Sequence, residues 1–109
     1  MDSSPLTPMF NPKSVAVFGA SDSPDSVGGR VFTNIRDSGF KGDLYPINPR
    51  YETVAGVKCL PDITHLPKPV DLAMIATPAE TVPGIITQCG MAGTGHAIVL
   101  SAGFGEGGG

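Results

Sequence analysis

The sequence has no tryptophan, only two cysteines and two histidines, and charged residues make up 16% of its 109 residues. So few candidate ligands, with no C-x-x-C spacing, argue against a structural metal site. Cys59 and Cys89 are expected to be buried thiols of a protein in the reducing cytoplasm. The seven Lys and Arg residues are scattered and the net charge is −3. This charge distribution argues against a nucleic-acid partner.

Long apolar runs are also missing from the sequence. The longest are too short to cross a bilayer, and the first ten residues, MDSSPLTPMF, lack the basic and apolar regions of a signal peptide. Glycine and proline, by contrast, are abundant, with 15 and 11 copies that separate short apolar segments. We therefore expect a lead-in over residues 1–12 and one small domain over residues 13–109, with short elements joined by sharp turns.

Four short apolar runs predict strands: Val15–Phe18, Leu44–Ile47, Asp71–Ala76 and Ala97–Leu100. None of the four alternates cleanly between apolar and polar residues, which is typical of parallel strands covered by helices on both faces. Between the second and third runs, GVKCL predicts a short edge strand, and PDITHL predicts a helical turn capped by Asp62.

Helical spacing predicts two helices between these strands. The first covers Gly29–Asp37 and is followed by Gly39 as a stop. The second begins near Thr81–Pro83, with Thr81 as its cap. An alternative start is a capping box formed by Thr77 and Glu80 around a proline at the first turn.

Strands that alternate with helices predict an α/β fold, a Rossmann-like doubly wound parallel sheet with strand order 2-1-3-4. Ligands bind such sheets at the carboxyl ends of the strands, next to the point where the strand order reverses. The corresponding segments here are rich in Gly, Ser, Thr, Asn or Pro: Gly19–Val27, Asn48–Arg50, Thr77–Thr81 and Ser101–Phe104.

The stretch VAVFGASDSPDSVGG leaves the first strand and enters the first helix, where a phosphate-binding loop belongs. Ser21, Ser23 and Ser26 offer hydroxyl donors, whereas Asp22 and Asp25 are expected to be solvated carboxylates. The spacing is not the G-x-G-x-x-G of nicotinamide-binding proteins. A glycine-rich turn that holds no ligand is the alternative.

The second strand ends in YPINPR, without the carboxylate that contacts the ribose of NAD in dinucleotide-binding folds. Asn48 and Arg50 stand there instead. An arginine at this position suits a phosphate on the adenosine ribose, such as the 2′-phosphate of NADP or the 3′-phosphate of CoA. A solvated Arg50 without a ligand is the alternative. No catalytic side-chain constellation is recognisable, so we assign no catalytic residue and no metal ligand.

Four segments in order, SVAVFGASDSPDSVGGRV, LYPINPR, PVDLAMIATPAETVP and AIVLSAGFGE, closely resemble one family. It is the CoA-binding domain of NDP-forming acyl-CoA synthetases, which is related to the succinyl-CoA synthetase α subunit. The same domain occurs in bacterial protein lysine acetyltransferases. The resemblance implies a domain that binds CoA or acyl-CoA and positions it for acyl transfer, as part of a larger cytoplasmic protein.

The resemblance also implies which residues contact CoA. The loop Gly19–Gly28 would surround the phosphates, and the strand ends would contact the adenosine 3′-phosphate, the pantetheine arm and the thiol in turn. The implied contacts are Gly19, Ser21, Ser26, Val27 and Gly28 in the loop; Asn48, Pro49 and Arg50 at the 3′-phosphate; Ala76, Thr77 and Pro78 along the pantetheine; and Ser101, Ala102 and Gly103 near the thiol.

The family's domain continues into a further helix and strand, so we expect a sheet truncated after its fourth main strand. Neither His65 nor His96 matches the phosphorylated histidine of the synthetases, and the ATP-grasp region has no counterpart here. The open sheet edge is expected to pair with another copy or with the remaining domains of a parent protein. An NADP-binding domain of an oxidoreductase and a regulatory CoA or nucleotide sensor are the alternative functions.

Overall fold

The computed structural model describes residues 11–23 and 25–100. The strands, in chain order, are β1 (Ser14–Phe18), β2 (Asp43–Ile47), β3 (Thr53–Val54), β4 (Val57–Lys58), β5 (Leu72–Ile75) and β6 (His96–Val99). Four of them form a parallel sheet in the order β2-β1-β5-β6, while β3 and β4 form a separate antiparallel hairpin. The Rossmann-like fold class and the predicted order of the four main strands are therefore confirmed.

The central strand β1 is buried along its whole length, which explains why its sequence does not alternate. Its side chains point to opposite faces of the sheet, and each face has its own apolar cluster. Val15 and Val17 belong to a cluster with Phe32, whereas Ala16 and Phe18 pack in a cluster with Cys89. Helices from both sides of the sheet thus complete the core.

Helix α1 covers Val27–Asp37 and begins two residues earlier than predicted. Ser26 caps it, since its hydroxyl oxygen accepts a hydrogen bond from the Gly29 N–H at 3.0 Å. The helix begins with Val27, Gly28 and Gly29, and because glycine is a poor helix former the sequence pattern does not indicate this first turn. Gly39 has φ +90° just beyond the end of the helix, as expected for a glycine stop.

Helix α2 covers Val82–Met91 and follows a 3₁₀ turn, Ala79–Thr81. Thr81 occupies the predicted cap position, but its hydroxyl makes no bond to the helix backbone and instead lies 2.6 Å from the Pro78 carbonyl. The alternative capping box is not formed either, because the residues after Pro78 enter the 3₁₀ turn without a side-chain cap. No helix in the described residues is long and apolar enough to cross a membrane.

The segment after β2 contains a hairpin and a 3₁₀ turn. Val57 and Lys58 of GVKCL form a short strand, as predicted, and it pairs with β3 in the hairpin. Leu60 pairs with the main sheet, where its N–H donates to the Pro46 carbonyl at 2.9 Å. A 3₁₀ turn follows at Ile63–His65, and Asp62 caps it by accepting from the Thr64 N–H at 2.9 Å. The predicted capped turn is therefore confirmed.

The hairpin turn carries a strained residue. Its two central residues, Ala55 and Gly56, have φ of 52° and 80°, as a type I′ turn requires. Alanine is unfavourable in this left-handed conformation, whereas asparagine tolerates it.

We expect Ala55→Asn to raise the free energy of unfolding by about 1 kcal/mol, since it relieves this strain and keeps both backbone hydrogen-bonding groups. Urea denaturation measures the change. Ala79→Asn serves as the control because Ala79 is exposed and has no positive φ. An equal gain in both variants would show that the strain at Ala55 is not the cause.

Candidate functional site

A cleft of about 580 Å³ lies at the carboxyl ends of β1, β2 and β5. This is the edge of the sheet, beside the reversal of strand order, where the fold is expected to bind a ligand. The cleft is lined by Phe18, Gly19, Ser21, Ser26, Ile47, Asn48, Pro49, Arg50, Tyr51, Pro61, Asp62, Ala76, Thr77, Pro78, Thr81, Ile85 and Gln88. Its volume suits a small-molecule ligand.

Gly19 brings the ends of three strands together. It has φ +91°, and a Cβ at this position would lie 2.4 Å from the Ala76 carbonyl oxygen. Its N–H donates to the Ile47 carbonyl at 2.9 Å. Only glycine allows this approach, so the glycine-rich loop leaves the sheet between β2 and β5.

Gly28 serves the packing of α1 against the loop. A Cβ on Gly28 would lie 2.3 Å from the Gly19 carbonyl oxygen and 2.9 Å from the Ala20 nitrogen. The helix N-terminus therefore packs directly on the loop backbone. Gly28 is buried and does not line the cleft.

Asn48 connects the end of β2 to the glycine-rich loop. Its side-chain amide donates to the Ala20 carbonyl at 2.9 Å, and its Oδ1 accepts from the Arg50 N–H at 2.9 Å. The Arg50 side chain forms no ion pair within the described part of the chain. Arg50 and Asp62 are the charged residues of the described lining, and they belong to different segments around the cleft.

The opposite wall comes from the loop after β5 and from α2. The Thr81 hydroxyl lies 2.7 Å from the Thr77 hydroxyl, which fixes the loop against the start of the helix. One helical turn further on, Ile85 and Gln88 line the cleft together, because residues three apart share a face of a helix.

The structure brings most of the predicted contact residues into one cleft. Nine of them line it: Gly19, Ser21, Ser26, Asn48, Pro49, Arg50, Ala76, Thr77 and Pro78. Val27 and Gly28 do not line it, and Ser101, Ala102 and Gly103 lie outside the described residues. That these residues contact a ligand stays a prediction.

Several lining residues were not predicted as site residues. Tyr51 follows Arg50 directly, and its position beside a strand end is the only signal the sequence carries. Pro61 and Asp62 reach the cleft because the chain returns along the edge of β2 through Leu60. Ile85 packs against the core as well as lining the cleft.

The carboxylate of Asp62 is held in its charged form. Its Oδ1 accepts hydrogen bonds from the Thr64 hydroxyl and the Thr64 N–H, and it lies 3.0 Å from His65 Nδ1. These contacts, with the Thr64 hydroxyl first among them, hold the pKa of Asp62 below its ordinary value of 3.8. Burial raises the pKa of the Cys59 and Cys89 thiols, both of which are free.

We expect Thr64→Val to raise the pKa of Asp62 toward 3.8, because valine lacks the hydroxyl that lowers it most. Because the pKa of Asp62 is lower in the folded protein than its ordinary value of 3.8, the charged carboxylate stabilises the fold at pH values above 3.8. This contribution is lost as the pH falls from 3.8 through the pKa of the folded state. Carboxyl-detected NMR titration of the parent and the variant measures both pKa values. The same Asp62 pKa in both proteins would contradict this assignment.

Within residues 11–23 and 25–100, no three His, Cys, Asp or Glu side chains are grouped to hold a metal ion. What the cleft offers is backbone amides, hydroxyl groups, one guanidinium group, the Asp62 carboxylate on a separate segment, and the apolar side chains of Phe18 and Ile47. Such a set suits an anionic ligand with apolar parts.

Comparisons with known proteins identify the family. Residues 13–106 match the family described as CoA binding domain. The chain is 41% identical over 101 residues to an ADP-forming acetate–CoA ligase of Archaeoglobus fulgidus, covering 93% of this chain and 15% of that protein. It is 40% identical over 97 residues to the α subunit of an ADP-forming acetate–CoA ligase of Pyrococcus furiosus, covering 89% of this chain and 21% of the subunit.

A solved structure agrees with these relatives. An acetyl-coenzyme A synthetase of Candidatus Korarchaeum cryptofilum superposes with a TM-score of 0.85 at 43% identity, over 94% of this chain and 22% of that one. The chain thus spans about a fifth or less of the length of these proteins. The family match and the shared fold lead to one conclusion: this chain belongs to the CoA-binding domain family and corresponds to the CoA-binding domain of ADP-forming acyl-CoA synthetases.

Proposed function

We propose that the cleft binds CoA, with the glycine-rich loop at its diphosphate and the Asn48–Arg50 corner at its adenosine 3′-phosphate. The observation that carries this proposal is the cleft itself, which gathers the loop and two further strand ends at one edge in a chain of the CoA-binding family. Ala76, Thr77 and Pro78 would line the path of the pantetheine arm. The N-terminus of α1 adds its dipole to the attraction of the phosphates.

Arg50 supplies the positive charge of this site. It is exposed and carries no ion pair within the described residues, so a ligand phosphate meets no competing carboxylate on it. A guanidinium group donates two parallel hydrogen bonds to a phosphate. NADP also has a ribose phosphate, but the comparisons favour CoA over an oxidoreductase cofactor.

The chain's part in a reaction is to position CoA. In a larger acyl-CoA ligase, or in a related lysine acetyltransferase, it would hold the nucleotide end so that the thiol reaches an activated acyl group bound elsewhere. His65 is exposed beside Asp62, and His96 begins β6 and pairs with Leu72 of β5, so neither is assigned a catalytic role. A regulatory response of the parent to CoA occupancy uses the same cleft and is the second candidate.

We propose that this chain works with other parts of a larger cytoplasmic protein. The relative from Pyrococcus furiosus is named as an α subunit, and we propose that other domains or subunits of the parent, or a second copy, pair with the outer edge of β6. The free buried thiols Cys59 and Cys89 suit a cytoplasmic protein.

Calorimetric titration of the chain with CoA, dephospho-CoA and NADP tests the proposal. We expect saturable CoA binding, weaker binding of dephospho-CoA, and weak or no binding of NADP. Binding of NADP in preference to CoA would identify a different cofactor. A folded chain that binds none of the three would contradict the proposed function.

A further inference from the structure

The tip of the β3–β4 hairpin is held from two sides. The Ala55 N–H donates to the Asp22 carboxylate at 2.7 Å, and the Ala55 carbonyl accepts from Arg36 Nη1 at 2.8 Å. Asp22 belongs to the glycine-rich loop and Arg36 to the last turn of α1. One residue of the hairpin, Ala55, therefore connects both ends of the loop–helix unit that begins the site.

Asp22 is exposed, as expected of a solvated carboxylate, but it also accepts this hydrogen bond from the hairpin. Asp22 does not line the cleft, and it borders a separate recess of about 120 Å³ with Arg30 and Thr33 among its lining residues. The Asp22 carboxylate accepts from a backbone amide, which is a charge-assisted hydrogen bond.

The loop has a second attachment two residues earlier. The Asn48 side chain holds the Ala20 carbonyl, and Asp22 holds the Ala55 N–H. Ser21, which lines the cleft, lies between these two attached residues. Its hydroxyl oxygen also accepts from the Ser23 N–H at 3.2 Å. The backbone on both sides of Ser21 is thus fixed to structure outside the loop.

We propose that Asp22, through Ala55 and Arg36, is a positioning residue that holds the glycine-rich loop in the conformation that binds CoA. This inference rests on the proposed function. Asn48 acts in the same way on the other side of Ser21, since both ends of its side-chain amide are engaged within the protein. Neither Asp22 nor Arg36 lines the cleft, so neither needs to touch the ligand.

The affinity for CoA depends on the fraction of molecules in which the loop has its binding conformation. When a loop spends only a fraction of its time in the binding conformation, the apparent dissociation constant rises by the inverse of that fraction. Loss of the Asp22 attachment frees one end of the loop, while the core strands and the Asn48 attachment remain. The affinity for CoA should therefore fall although the fold stays stable.

Three variants test this inference by calorimetry with CoA. We expect Asp22→Ala to bind CoA about tenfold more weakly, which corresponds to a binding conformation populated about a tenth of the time. Asp22→Asn should bind within about twofold of the parent, because its Oδ1 still accepts from the Ala55 N–H. Asp25→Ala is the matched control, since it removes the same charge from the same exposed loop.

Amide hydrogen exchange at Ala55 supplies an independent readout. Exchange should be faster in Asp22→Ala than in the parent and nearly unchanged in Asp22→Asn, with melting temperatures confirming that each variant is folded. Should Asp22→Ala not fold, Arg36→Ala opens the other half of the attachment and should weaken CoA binding about threefold.

Other results would overturn the inference. Equal affinities of Asp22→Ala and Asp25→Ala would remove any role for the attachment, and an Asp22→Asn variant as weak as Asp22→Ala would assign the effect to charge. A parent chain that binds no CoA would instead contradict the proposed function, and the role of Asp22 in CoA binding would fall with it. Exchange at Ala55 would still show in that case whether the attachment forms.

Discussion

Replacing Gly28 with alanine should lower the free energy of unfolding by about 3 kcal/mol. A Cβ at this position would lie 2.3 Å from the Gly19 carbonyl oxygen and 2.5 Å from its carbonyl carbon. These are backbone atoms at the end of β1, so no side chain can rotate away to relieve the contact. The N-terminus of α1 would have to move off the loop, and the cleft would lose its shape.

Gly84→Ala is the matched control for this variant. Gly84 lies in the first turn of α2, and a Cβ there would meet no atom within 4 Å. Alanine is the better helix former, so this variant should be more stable than the parent by about 0.5 kcal/mol. Urea denaturation compares the two variants. A Gly28→Ala variant as stable as the parent would show that α1 does not pack on the loop as described.

Removing the charge of Arg50 should weaken CoA binding about tenfold. Hydrogen bonds to charged groups contribute about 1.5 kcal/mol or more, and 1.4 kcal/mol corresponds to a tenfold change in affinity. Arg50→Ala should leave the folding stability nearly unchanged, because the side chain is exposed and forms no ion pair among the described residues. Calorimetric titration with CoA measures the loss.

Two controls separate this contact from a general effect of charge. Dephospho-CoA lacks the 3′-phosphate, so the parent and Arg50→Ala should bind it with similar affinity. Lys41→Ala removes the same charge at the amino end of β2, outside the cleft lining, and should leave CoA binding within about twofold of the parent. An equal loss for CoA and dephospho-CoA in Arg50→Ala would place the 3′-phosphate elsewhere.

The sheet could be predicted because its sequence signal is local. Each main strand is a short apolar run bounded by turn residues, and the rule of right-handed crossovers then leaves few strand orders. The position of the cleft follows from that order. Eight of the nine predicted lining residues follow strand ends within a few positions, and Ser26 caps the helix that begins at the same edge.

The remaining features depend on contacts between distant residues. Asp22 meets Ala55 across 33 positions of the sequence, and no local pattern marks either of them. Pro61 and Asp62 enter the cleft only because Leu60 runs along β2. Gly28 shows the converse case: the sequence indicates a glycine-rich binding loop, but the constraint on this glycine comes from the protein's own backbone.

Mapping of CoA binding by amide NMR tests the central claim most directly. CoA should shift the backbone amide resonances of Gly19, Ser21, Arg50 and Thr77, which line the cleft on three different segments. The amides of Lys41 and Gly95, at the amino ends of β2 and β6, should keep their positions. Saturable shifts with this distribution would place CoA in the cleft. Shifts confined to α2 and the outer edge of β6, or none at saturating CoA, would contradict the account.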